Sequence, residues 1–329
     1  MILATDLTGF PAKRFQNLVL AVGVFDGLHR GHHAILKKVR DEARKLGSKT
    51  ATAVLTFREH PQNVLTPKRK TPLLTSFWHK LALIEKEGVD LCIALHFSEA
   101  FSRLSAEEFV QRILLRKLRV KTVVLGHDSR FGHHREGDAR LMAEFARKFK
   151  FKLVTVPALK VAGDTVSSTR IRRLITEGDL TQAKQLLGRD CSVVAPVVRG
   201  SGRGRKLGFP TANLNPHSGV LPPDGVYATR IRSVEFQITG SRRGFKRFSV
   251  QKPDFSWPAI MNLGTRPTFH AGAEVRVPEA HILKFRGDLY GKTLEVDFLT
   301  RLRTEIKFST PEELQAQILR DIREAERYF

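Results

Sequence analysis

Gly23-Val-Phe-Asp-Gly-Leu-His-Arg-Gly-His32 is the stretch on which the reading of this chain turns. An apolar run, Leu18 to Val24, leads into it with strand character. Ala34-Ile35-Leu36 then opens a lysine- and arginine-studded helical pattern that reaches about Leu46. The histidines therefore stand where a strand stops and a helix starts. The first backbone N–H groups of a helix lack internal partners and carry the positive end of its dipole. A phosphate fits there, and Gly23, Gly27 and Gly31 let it approach the backbone closely. His29 and His32, three apart, share a face of the first turn. Two imidazoles aimed at a phosphate can donate to its oxygens and stabilise charge developing in a displacement at phosphorus. A zinc pair, or two histidines satisfied within a core, are the alternatives. Zinc needs further His or Cys ligands at close spacing. His33 points off the shared face and the only cysteines are Cys92 and Cys191, so phosphate chemistry is the expectation.

Outward from this stretch, strand and helix patterns alternate. Thr50–Phe57, Leu91–Phe97, Val120–Gly126 and Phe151–Val156 read as strands, while Ser76–Glu87 and Asp138–Lys150 read as helices. Ser105-Ala-Glu-Glu108 is a capping box opening another helix, with Phe109, Ile113 and Leu114 on its apolar side. Alternation of this kind implies an open α/β domain with a mostly parallel sheet. Ligands in such sheets bind at the carboxyl ends of the strands, and the glycine-flanked motifs 23–32 and 126–137 both fall there. Val166-Ser-Ser-Thr-Arg-Ile-Arg172 follows, with Ser168 and Thr169 as donors at a helix start and Arg172 a turn later, able to clamp phosphate oxygens. A plain helix cap with solvated arginines is the competing reading.

Beyond Gly188 the texture changes. Short β-branched runs (192–198, 225–231, 259–263, 280–285 and 293–299) come with turn signals and no helices between them. That pattern predicts an antiparallel barrel. Thr310-Pro-Glu-Glu313 caps a final helix with an apolar stripe of Leu314, Ile318, Ile322 and Ala325. Two domains, 1–188 and 189–329, are expected for 329 residues.

Gly200 to Asn213 combines flexible glycines, three cationic side chains and a Pro-Thr-Ala-Asn turn. No Gly-Lys-Ser/Thr closes it, so it is not a P-loop. Its N–H groups and cations still suit a triphosphate, and the Thr211 hydroxyl and Asn213 amide oxygen are hard ligands of the kind Mg²⁺ takes. An arginine/glycine-rich nucleic-acid segment is the alternative. Glu279 could accept a proton from a hydroxyl attacking a phosphate, though by position alone it is one glutamate of many.

The net charge of +23 is the one compositional outlier. It allows nucleic-acid or anionic-membrane binding as well as polyanionic small molecules. The charges are spread along the chain, which weighs against a nucleic-acid tail. Two cysteines form no disulfide framework and fit a reducing compartment. No apolar run approaches membrane-spanning length and no secretory pattern opens the chain. A soluble, cytoplasmic protein is expected.

The motifs together resemble those of the bacterial bifunctional riboflavin kinase/FAD synthetases. Gly-x-Phe-Asp-Gly-x-His-x-Gly-His, the 126–132 stretch, Ser-Ser-Thr-x-Ile-Arg, Gly-Arg-x-Leu-Gly-Phe-Pro-Thr-Ala-Asn-Leu, Asn262–Phe269 and Asp288-Leu-Tyr-Gly291 occur in that family's order, from about Leu18 to the C-terminus. The resemblance implies a Rossmann-like nucleotidyltransferase domain followed by a riboflavin kinase barrel. The barrel would phosphorylate riboflavin at its ribityl 5′-hydroxyl with ATP and Mg²⁺, giving FMN. The first domain would transfer AMP from a second ATP to FMN, giving FAD and pyrophosphate. His29 and His32 would then bind phosphates and stabilise the transition state, with Gly23, Phe25, Asp26, Gly31, Ser168, Thr169 and Arg172 around the ATP. Asp128 would lie by the flavin. In the barrel, Gly208 and Pro210 would border the ATP, Thr211 and Asn213 would hold the metal, and Glu279 would be the base. The chain departs from the family at Ser129, usually aromatic, at Pro278 beside Glu279, and in a long basic connection, 233–256, whose Arg242, Arg243, Lys246 and Arg247 are expected at a surface hairpin tip. Partners are then riboflavin, FMN and ATP, without a specific nucleic acid or a membrane. One active module only, or a basic nucleic-acid-binding protein on an old enzyme scaffold, are the competing functions.

Overall fold

The computed structural model describes residues 1–8, 10, 17–200, 202–216, 219–242, 245–253, 255–267 and 274–329. Packing divides the chain into two compact units. One comprises 1–73, 77–168 and 236–249, the other 74–76, 169–235 and 250–329.

In chain order the first part contains β1 (Ile2–Ala4), β2 (Asn17–Val22), α1 (Arg30–Leu46), β3 (Thr50–Phe57), α2 (Pro61–Leu65), α3 (Phe77–Lys86) and β4 (Leu91–Leu95). There follow α4 (Glu99–Ser102), α5 (Ala106–Glu108), β5 (Thr122–Gly126), α6 (Ala139–Phe149), β6 (Lys152–Val156), and the small ribbon β7 (Lys160–Val161) and β8 (Asp164–Thr165). The 58–62 and 66–70 stretches carry the proline and charge signals of loops, but Pro61 and Gln62 of the first instead open a short helix, α2, with Pro61 at its first position and His60 as N-cap. The capping box forms as read: Ser105 and Glu108 bond each other's backbone N–H. The helix it opens continues through 109–117 as a π-helix.

Parallel pairing sets the order β1-β4-β3-β2-β5-β6. From β2 the chain moves one way to β3 and later returns to β2's other side with β5. The gap between β2 and β5 is therefore the topological switch point, where loops diverge above the sheet and leave a crevice. β3, β4 and β5 are almost wholly buried, as expected for strands covered on both faces. Leu20, Leu55, Ile93, Val123 and Phe109 belong to the core.

Two further strands complete this sheet from far along the sequence. β12 (Glu235–Arg242) and β13 (Phe245–Gln251) form a hairpin, and the sheet order begins β12-β13-β1. β13 runs antiparallel to β1, with Ile2 opposite Arg247 and Leu3 opposite Lys246. Phe248 is fully buried and stacks near Trp78 and Phe236, at 6.4 and 6.3 Å between centroids. The long connection is thus a hairpin as expected, but Lys246 and Arg247 are paired strand residues and not its tip. Arg243 and the Arg242 side chain lie outside the described residues.

The second unit holds α7 (Ser168–Glu177) from Thr169 onward and α8 (Leu180–Leu187). A closed antiparallel barrel follows, β10-β15-β14-β11-β16-β9, from β9 (Cys191–Val198), β10 (Ala212–Leu214), β11 (Gly225–Ser233), β14 (Trp257–Pro267), β15 (Glu274–Ile282) and β16 (Thr293–Arg303). A short helix, α9 (Arg203–Lys206), lies within the glycine-rich stretch, and α10 (Pro311–Ala325) ends the chain. Thr310 caps α10, and Ile318, Ile322 and Ala325 pack on Val226, Ala228 and Ile260. Glu279, read as the start of a strand, is interior to β15, which begins earlier and stops at Ile282.

Among the described residues no helix is long and apolar enough to cross a membrane.

Candidate active sites

β2 ends at Val22, and a six-residue turn leads to His29, the N-cap of α1. Phe25 and Leu28 adopt left-handed φ angles of 53° and 33° and are fully buried. Such backbone costs on the order of 1–3 kcal/mol per residue and persists where the surroundings hold it, often at functional sites. Here the two side chains are core residues, so burial offsets the strain.

His29 is 6% exposed, and its Nδ1 accepts the backbone N–H of His32 at 3.3 Å. That bond places the ring proton on Nε2, which is left as a donor. The His29 and His32 rings stack, with centroids 3.7 Å apart, and Phe25 tilts against His32 at 5.0 Å. Gly31 permits the stack, since a Cβ there would lie 3.2 Å from the His29 ring. Burial pushes His29 down to about 4 despite the nearby charges of Asp128 and Asp26. Burial also takes His32 well below the ordinary range, helped by His29, His33 and Lys80. Both rings are neutral donors at pH 7. The Nδ1 of His32 is enclosed without a hydrogen-bond partner among the described residues.

His33 is occupied elsewhere, 2.5 Å from Glu87, which also takes Arg40 at 2.9 Å. Among the described residues no group of three or more His, Cys, Asp or Glu is arranged to hold a metal ion. Ser168 at the start of α7 donates to the Asp26 carbonyl at 2.9 Å. Thr169 and Arg172 occupy the first turns of the same helix. Asp128 follows β5 across the switch point, in an exposed turn closed by Ser129 N–H on the Gly126 carbonyl at 3.1 Å. Lys80 and Thr56, not singled out from sequence, stand below the turn and bond the Val24 carbonyl. A signal existed for Lys80: it falls three after Phe77 and four before Ile84, on that helix's apolar stripe.

In the barrel, the site is a row across three strands. Asn213 of β10 stands opposite Glu279 of β15, which stands opposite Asn262 of β14. Directly paired residues share a face, with Cβ atoms about 4.5–5.5 Å apart. Ala280 and Ile282 are buried and alternate with Glu279 and His281. Pro278 stands opposite Leu263 of β14, while among the described residues β10 pairs with β15 at Ala280 and Glu279 and not at 278; proline is tolerated where one strand edge is unpaired.

Asn213 is 6% exposed, and its Oδ1 has no hydrogen-bond partner among the described residues. A buried amide oxygen left bare is costly unless a ligand or cation completes it. Thr211 lies against the Gly204 α-carbon. These two oxygens suit a hard cation such as Mg²⁺. Gly200 is pressed so closely on the Asn213 amide that any Cβ there would overlap it. Gly208 takes a left-handed φ of 81°. The Pro210 carbonyl accepts from His281 Nδ1 at 2.9 Å, fixing the turn to β15 beside Glu279. His281 carries no sequence signal of its own; its register beside Glu279 reveals it. Ser201, Thr268, Phe269 and the side chains of Arg203, Lys206, Thr265, Arg266 and Pro267 lie outside the described residues.

Comparison with known proteins separates the same two parts. The FAD synthetase family matches residues 12–170 and the riboflavin kinase family residues 187–329. A bifunctional riboflavin kinase/FMN adenylyltransferase of Escherichia coli K12 is 33% identical, with 95% of this chain and 93% of that protein covered. One from Listeria monocytogenes is 36% identical, covering 95% and 93%. A solved structure named a macrolide-efflux protein, from Streptococcus pneumoniae, covers 100% of both chains with a TM-score of 0.80 at 28% identity. Full-length identity to relatives so named, with both family matches in order, decides the assignment: the chain belongs to the family of bifunctional riboflavin kinase/FMN adenylyltransferases.

Proposed function

We propose that the chain makes FMN from riboflavin in its C-terminal module, 189–329, and FAD from that FMN in its N-terminal module, 1–188. What supports this is the coexistence of two candidate sites, one in each module. Neutral stacked histidines sit at a helix start over the switch point, and a bare Asn213 oxygen stands across from Glu279 in the barrel.

In the kinase, the ribityl 5′-hydroxyl attacks the γ-phosphorus of ATP. Glu279 takes its proton as the new P–O bond forms and ADP leaves. Gly208 and Pro210 border the nucleotide. Thr211 and Asn213 would hold Mg²⁺, which when bound neutralises phosphate charge. In the transferase, an oxygen of the FMN phosphate attacks the α-phosphorus of ATP, and the bond to the β-phosphate oxygen breaks. His29, through Nε2–H, and His32 stabilise the pentacovalent charge. Gly23, Phe25, Asp26 and Gly31 shape the cradle, and Ser168, Thr169 and Arg172 hold the departing pyrophosphate. Asp128 lies at the flavin end. Both steps consist mainly of positioning and charge stabilisation.

The site of action is the cytoplasm. Cys92 and Cys191 support this reading, being free, buried, and pushed by burial to about 12. Incubation with riboflavin, ATP and Mg²⁺ and separation of flavins tests the proposal. FMN followed by FAD is expected. FMN alone removes the adenylyltransferase, and no phosphorylated flavin removes both. Tight RNA or DNA binding falling steeply with salt would favour the nucleic-acid alternative.

A further inference from the structure

Lys80 is a charged residue in the wrong place for a surface lysine. It lies on the inward face of α3 and is 6% exposed. Its Nζ donates to the Phe57 carbonyl at 2.6 Å and reaches the Val24 carbonyl at 3.4 Å. Val24 also accepts the Thr56 hydroxyl at 2.9 Å, and Thr56 is fully buried. Phe57 ends β3, and Val24 belongs to the turn that carries Phe25, Asp26 and His29. One ammonium therefore ties the end of a central strand to the strained turn over the switch point.

Stability alone does not account for it. Taking a charge out of water costs several kcal/mol, and two carbonyls satisfy only two of an ammonium's three donors. An apolar side chain of similar length would hold α3 against the sheet at lower cost. The groups facing the ammonium are Cys92 on β4, Asp26 in the turn and Glu59 after β3, with the Phe77 ring 6.0 Å away. The groups facing His32 are His29 and His33 on its own helix, Lys80 on α3 and the ring of Phe25.

We infer that Lys80 is a positioning residue for adenylyl transfer: it fixes the 23–29 turn through the Val24 and Phe57 carbonyls and sets a positive charge near the histidine pair. This rests on the reading of residues 23–32 as the adenylyl-transfer site. The fixed charge does two things there. It adds to the helix dipole in drawing a polyphosphate toward α1. It also disfavours protonation of His32, so the ring stays a neutral donor as the medium turns acid.

Lys80→Met keeps the unbranched stem and removes charge and donors; Lys80→Gln keeps donors and removes charge. Both are made in the full chain, with FMN formation from riboflavin as an internal control. For Lys80→Met, kcat for FAD formation from supplied FMN falls roughly ten- to a hundredfold, the size expected for lost positioning. FMN formation stays within about twofold of wild type, since its rate depends on the other module. In both variants the acid limb of kcat/KM for FAD formation moves to higher pH, because loss of the positive neighbour lets His32 protonate more readily. An unchanged rate, or a fall in rate with an unmoved acid limb, overturns the inference. If Lys80→Met unfolds, Lys80→Gln decides by its pH profile; if both lose the fold, the ammonium serves stability and the inference is overturned. Failure of the wild-type chain to make FAD from supplied FMN refutes the underlying reading instead.

Discussion

The two candidate sites are built by different routes. The centre of the proposed transferase site is local: strand end, turn, N-cap and first helical turn follow one another over Val22–His33, with the His29 and His32 rings stacked in that short space. The kinase site is a matter of register. Asn213 and Glu279 are 66 positions apart and meet only because β10 and β15 pair at that position. A site made by register depends on every turn that fixes the pairing.

The sharpest way to test that contrast is to remove one group from each site. Glu279→Gln is expected to cut FMN formation by about 10²–10⁴-fold, the usual worth of a positioned base, with FAD formation from supplied FMN unchanged. His32→Ala is expected to cut FAD formation by about 10²–10³-fold, the loss seen when one transition-state donor goes, with FMN formation intact. Assays of each step with its own substrate check both. Equal loss of both activities in either variant would break the separation of sites.

Acid should separate the units by sign. His29 is held down at about 4 from 6.5 by burial. Its unfolded form binds more protons between those values, so its share of stability is present above 6.5 and lost as pH falls through 4. At most that is on the order of 3 kcal/mol. Asp297 on β16 is pushed up to about 6 from 3.8 by burial, against the Arg232 guanidinium 2.8 Å away. Its folded form binds more protons, so its share is present below 3.8 and lost as pH rises through 6. The chain has two tryptophans, Trp78 in the first unit and Trp257 in the second. Replacing each in turn by Phe leaves a reporter on the other unit. Urea unfolding at pH 7 and 4.5 should show the Trp78 transition moving down further than the Trp257 transition. Equal movement would erase the contrast.

The glycines give the finest comparison. Gly200→Ala must displace the Asn213 amide, at about 1–3 kcal/mol, and should lower FMN formation roughly tenfold or more. Gly31→Ala brings a Cβ to 3.2 Å of the His29 ring, a contact a small ring shift relieves, and FAD formation should fall less than roughly tenfold. Steady-state rates check the order.

The same contrast explains what the sequence made legible. The 3.6-residue stripe of Arg30–Leu46 and the buried apolar runs of β3 and β4 are local signals, and the elements form nearly where they were read. The placement of the histidine pair at a helix start was legible for the same reason. Glu279 was not: nothing beside it distinguishes it from other glutamates, and its partner Asn213 is chosen by strand pairing. Lys80 was passed over despite its place on the apolar stripe, because a lysine within helical text reads as a solvated face. The destination of the 233–256 connection was hidden too, since an edge strand recruits its neighbour through backbone groups, which carry no residue code.

That connection also sets a schedule. β1 is made at the start of synthesis, yet its antiparallel neighbour β13 includes Arg247, the partner of Ile2. At ~5–20 residues per second, the edge of β1 is translated on the order of 10–50 s before the strand that pairs with it. The histidine cradle can be synthesised early, but the sheet beneath it is finished only once nearly half of the kinase module has left the ribosome. A chain halted between the modules ends with an open strand edge in its FAD-forming unit, so the enzyme for the second reaction is completed only by residues belonging to the first.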